Sequence, residues 1–100
     1  MYGLIGKIKC IDGQRNSLMA ILLDGLVGMP GCLSYVVAAD ATDPDAIWVT
    51  EVWESREHHQ ASLTLPSVQQ AISQGRPLIA GFGERFETIP VGGHGLANAQ

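Results

Sequence analysis

Apolar residues recur at every second position near the start of the chain, then at every third or fourth. Across residues 2–10, Leu4, Gly6, Ile8 and Cys10 fall on one face, and Lys7 and Lys9 fall on the other with Ile5. A period of two predicts a strand with one well-buried face. Asp12-Gly13 breaks it. From Gln14 to Val27 the period lengthens: Leu18, Ile21, Leu22 and Leu26 return at helical spacing, widened by Met19 and Leu23. Gly28 and Pro30 supply the stop, because a proline cannot continue the helix. So broad a stripe predicts a helix lying flat on a sheet.

A second strand is predicted at 32–39 and a third at 47–54. Between them Asp40-Ala41-Thr42-Asp43-Pro44-Asp45 has turn chemistry: short side chains that bond their own backbone, and a proline that fixes φ. A connection this short predicts an antiparallel hairpin. Ser55 is suited to cap a short helix over 56–64. Pro66 ends that helix and opens another over 67–74, with Gly75 as its stop. A last strand is predicted at 83–90. The Gly-rich stretch 91–100 reads as a mobile tail or an arm reaching onto a partner.

Strand, helix, strand, strand, helix, strand is the order of an α+β ferredoxin-like domain, the split βαβ arrangement. It predicts one domain over 1–90, a four-stranded antiparallel sheet with helices on one face. The other face, on which Ile5, Val37 and Trp48 are placed, is left open, and two such sheets packed together would close it. Composition agrees. Hydrophobic residues make up 46% of the chain and charged residues only 16%, so a homodimer is expected to bury part of the surface.

The net charge of −4 and a total of only six Lys and Arg exclude nucleic acid as a partner. No apolar run is long enough to span a bilayer, and no basic-then-apolar leader opens the chain. Cys10 and Cys32 lie in predicted strands without metal-type spacing. They are expected to be free thiols of a cytoplasmic protein.

Glu51-Val52-Trp53-Glu54-Ser55, then Arg56-Glu57, Pro66 and Val68, resembles the central signature of the antibiotic-biosynthesis monooxygenase domain. Gly31-Cys32 with Tyr35 is similar to the family's small-residue turn and strand. The resemblance covers about residues 2–90. It implies a homodimer of the dimeric α/β barrel type, with a pocket between each sheet and its helices. It also implies, for some members, oxidation of phenols, quinols or anthrones by molecular oxygen without metal or flavin. Others degrade haem, so the resemblance carries the fold further than the chemistry. Many relatives have a histidine at the position of Ser62; this chain has His58-His59 instead.

Trp53 shares a strand face with Val49 and Glu51, a pocket-wall position able to stack on a flat ring; ordinary core packing is the competing role. His59 lies four residues before Leu63 on the helix face turned to the sheet, and is the expected base for a phenolic proton. The competing role is an imidazole bonded to backbone. His58 points about 100° away, toward solvent. Ser62, Tyr35, Glu51 and Arg85 are expected substrate contacts, although helix hydroxyls such as that of Ser62 commonly bond their own backbone and Arg85 could instead pair with a glutamate. No metal ligand set is complete, because His58 and His59 diverge and His94 lies in the tail. The expected function is a cofactor-independent monooxygenase acting on a small aromatic. A non-catalytic ligand-binding dimer is the main alternative, and haem degradation a weaker one.

Overall fold

The opening alternation forms β1, Tyr2–Cys10, and the helical spacing after it forms α1, Arg15–Gly25, in a computed structural model that describes residues 1–96. Next come β2 (Cys32–Ala39), β3 (Ala46–Trp53), α2 (Arg56–Ser62), α3 (Pro66–Gly75), a 3-10 turn (Arg76–Leu78) and β4 (Ile79–Thr88). The strands make one antiparallel sheet in the order β2-β3-β1-β4. Each strand–helix–strand unit therefore leaves a gap that a strand of the other unit fills. This is the ferredoxin-like α+β fold.

Local chemistry sets the connections. At the β2–β3 turn, Asp40 Oδ1 accepts the amides of Thr42 and Asp43, both at 2.9 Å, and Oδ2 accepts the Trp48 indole N–H at 2.7 Å. The Arg15 guanidinium donates to the Asp43 carbonyl at 2.8 Å, which ties α1 to that turn. Ser55 caps α2, its hydroxyl accepting the His58 amide at 3.2 Å. α1 and α3 approach closely at Gly25, where a Cβ would stand 2.8 Å from that of Ala71.

Register decides which residues meet. Trp53, Glu51, Val49 and Ile47 of β3 turn toward the helices, opposite Tyr2, Leu4, Gly6 and Ile8 of β1. One core cluster joins Cys10, Leu18, Ile47 and Val49, and a second joins Met29, Trp53 and Val68. On the open face, Ile5 pairs with Thr50 and Phe86, Lys7 with Trp48, and Val36 with Thr50. Among the described residues no helix is long and apolar enough to cross a membrane.

Three expectations change. Val37 does not line the open face: it lies opposite Val49 and packs on the first core cluster, and Val36 takes the outward place. The last strand begins at Ile79 rather than 83, because Ile79 pairs with Cys10 and extends the ladder along all of β1. Gly81 reads as loop by propensity, but its pairing with Lys9 overrides that preference. α1 ends at Gly25, short of 27. Cys10 and Cys32 are free thiols, the first buried and the second half-buried. Residues 97–100 of the expected tail lie outside the described residues.

Candidate active site

A cavity of about 650 Å³ opens between the sheet and the helices, its wall drawn from both core clusters. That volume falls in the range of small-molecule ligand sites. Leu18 and Leu22 of α1, Leu26 just past its end, and Val68, Ala71 and Ile72 of α3 make it mainly apolar. Strand alternation adds Glu51 and Trp53 from β3 and Tyr35 from β2, since Tyr35 and Glu51 are directly paired. Ser62 from α2, Arg76 from the 3-10 turn and Phe82 from β4 also line it.

Glu51 is the only carboxylate in that wall. Its Oε1 accepts the Trp53 indole N–H at 3.0 Å and stands 4.0 Å from His59 Nε2. Burial pushes the Glu51 carboxyl above its ordinary range; the Trp53 hydrogen bond and the charges of His59 and Arg85 oppose the rise. A carboxylate poised in this way can accept a proton from a ligand beside it. Tyr35 responds to the same surroundings. Burial, then the Glu51 charge, push its hydroxyl well above the ordinary phenol range, so it stays a neutral donor.

The expected residues divide accordingly. Trp53, Tyr35, Glu51 and Ser62 all line the cavity. His59 does not; it lies behind Glu51, edge-on to Trp53 at 5.4 Å between ring centroids and tilted against Tyr2 at 5.8 Å. The Ser62 hydroxyl donates to the His59 carbonyl at 2.6 Å, the backbone role common for helix hydroxyls. Arg85 is exposed opposite Gly6 on β4 and is absent from the cavity wall, and Glu87 pairs instead with Arg56 at 3.1 Å. His58 is exposed, with Nδ1 2.7 Å from the capping Ser55 hydroxyl and Nε2 3.5 Å from Glu54. Among the described residues no group of three or more His, Cys, Asp or Glu is placed to hold a metal.

Two cavity residues lay beyond the sequence pattern. Arg76 falls in a stretch that reads as loop, and Phe82 precedes the expected start of the last strand. Matching β4 against the full length of β1 is the one signal that would have placed Phe82, which pairs with Ile8.

The antibiotic biosynthesis monooxygenase family model matches residues 1–74. A crystal structure of a candidate antibiotic biosynthesis monooxygenase from Chloroflexus aurantiacus is 66% identical, with a TM-score of 0.93, covering 96% of this chain and 98% of that one. A similarly described protein from Deinococcus radiodurans is 23% identical over 93% of this chain and 95% of its own, with a TM-score of 0.76. One from Caulobacter crescentus is 19% identical over 87% and 84%, with a TM-score of 0.74. These last two share the fold. No curated protein matches the chain significantly.

Proposed function

Because the chain belongs to the antibiotic biosynthesis monooxygenase family, we propose that its cavity oxidises a small phenol, quinol or polyketide-like aromatic with molecular oxygen, without a cofactor. The observation that carries this reading is the lone Glu51 carboxylate set into an otherwise apolar wall beside Trp53 and Tyr35. Glu51 takes the proton of the substrate hydroxyl. Trp53 stacks against the conjugated anion, and the Tyr35 hydroxyl donates to its oxygen. Oxygen dissolves readily in such an apolar space, and the anion transfers an electron to it. The radical pair combines at a ring carbon as a peroxide. Cleavage of the O–O bond leaves one oxygen atom on the ring and releases the other as water, so a quinol and one O₂ give a hydroxyquinone and H₂O. The substrate supplies all the electrons, and the protein a base, a donor and exclusion of bulk water.

His59, 4.0 Å behind Glu51, is suited to carry the proton onward rather than to meet the substrate. Arg85 acts on this site through its charge on Glu51. Purified protein treated with chelator should consume oxygen with at least one member of a panel of quinols and anthrones. No uptake across the panel, together with an apolar ligand co-purified in the cavity, would favour a binding protein of the same fold.

The functional unit is proposed to be a homodimer. The face of the sheet turned from the helices carries Val36 and Phe86, each 52% exposed, beside Ile5 and Trp48. Large apolar side chains left exposed together on one sheet face favour burial against a second copy. Residues 91–96, in which Val91 is almost fully exposed, would serve as an arm onto the second copy. Light scattering at micromolar concentration should give twice the 10.7 kDa of one chain. A mass of one chain that does not change with concentration would refute the dimer.

A further inference from the structure

The cavity carries one side chain of each charge, toward opposite ends of its wall. Glu51 lies opposite Leu4 on β1. Arg76 sits where its carbonyl accepts the Ile79 amide, and Ile79 lies opposite Cys10 at the other end of β1. The two sheet positions are separated by six residues of strand, on the order of 20 Å at about 3.3 Å per residue. Both residues line the same cavity. The surroundings differ as well. Glu51 is inward, its side chain 17% exposed and bonded to Trp53. Arg76 is exposed at the rim beside the exposed Ile72, Ala80 and Phe82. Among the described residues no ion pair includes Arg76, whereas Lys7, Lys9 and Arg56 each hold a carboxylate.

We propose that the cavity selects an elongated aromatic ligand with a hydroxyl at its inner end, facing Glu51, and a carboxylate at its outer end, held by Arg76. The inference rests on the reading of the cavity as a ligand site. Its chemistry is directional. A carboxylate at the inner end would stand beside the Glu51 carboxylate, and like charges in a partly buried site repel. At the rim the planar guanidinium offers two parallel N–H donors to the two carboxylate oxygens. The apolar wall between them fits the ring system. Arg76 is thus a specificity residue that does not touch the reacting atoms.

Three rigid probes test it: 2-naphthol, 2-naphthoate and 6-hydroxy-2-naphthoate, each titrated into the full chain by calorimetry at neutral pH. The hydroxynaphthoate should bind about tenfold or more tightly than 2-naphthol. In Arg76→Gln that advantage should vanish while 2-naphthol binding is unchanged, and Arg76→Lys should keep part of it. Matching thermal melts of the variants would show that the exposed position changes binding rather than folding. Equal binding of 2-naphthol and hydroxynaphthoate by the wild type, or an advantage that survives Arg76→Gln, would overturn this inference alone. Failure of all three probes to bind would overturn it together with the ligand-site reading.

Discussion

Glu51→Gln is expected to slow oxygen consumption by about a hundredfold or more, the range in which general-base loss falls, while leaving the domain folded. The amide keeps the shape of the carboxyl and can still accept the Trp53 indole N–H, found at 3.0 Å, but cannot take a proton from a phenol. His59→Ala keeps the base at the cavity wall and should cost less. The reverse ranking would move the base to the imidazole. In the wild type the rate should fall at acid pH as Glu51 is protonated, and burial places that limb above the ordinary glutamate range. The stability of the same group runs the other way. Its folded-state pKa is raised, so the stabilisation is complete below the unfolded value and is lost as pH rises through the folded one. Glu51→Gln carries no charge at any pH. It should therefore melt no lower than wild type at neutral pH. Rate–pH profiles and thermal melts of both proteins would check the pair, and an inactive variant that also unfolds would undo the argument.

The separation of chemistry from stability at Glu51 explains why strands were easier to read than the site. Strand extent can be read from a local run of residues, and the bounds of β1 and β2 match the expected ones to the residue. The β4 start depends on how far β1 extends beside it, a pairing that no local window contains. Val37 shows the same limit. Either phase of β2 offers apolar residues, Val36 on one face and Val37 on the other, and only the register with Val49 decides between them. At the site, Trp53, Tyr35, Glu51 and Ser62 were legible because strand and helix periodicity aims them inward. The division between Glu51 and His59 was not. Both lie toward the same region, 4.0 Å apart, but only Glu51 lines the cavity. Arg76 reaches the cavity from a turn whose direction is set by α3 docking on α1, a tertiary contact with no periodic trace in the sequence.

Trp53 joins the core to the chemistry, so its replacement should have the largest effect on stability. It is 1% exposed and anchors the cluster with Met29 and Val68, onto which Tyr2, Leu26, Tyr35 and Leu65 pack. Trp53→Ala removes the indole from a site that its neighbours on β1, β2, α3 and the connecting loops cannot refill, and large-to-small changes of this kind cost about 3–5 kcal/mol. Small domains have only about 5–15 kcal/mol of net stability, so urea unfolding should show most of that margin gone. Loss below about 1 kcal/mol would mean that the ring is not core, since such small effects belong to surface sites. Trp53→Phe separates the two roles. A phenyl ring keeps most of the packing and the stacking surface but has no N–H for Glu51. That hydrogen bond is the first of the influences opposing burial at the carboxyl, so its loss should move the acid limb of the rate to higher pH. The plateau rate above the limb should change little. If the limb stays in place in a folded Trp53→Phe protein, the indole does not tune Glu51, and the tryptophan serves the site only as a wall.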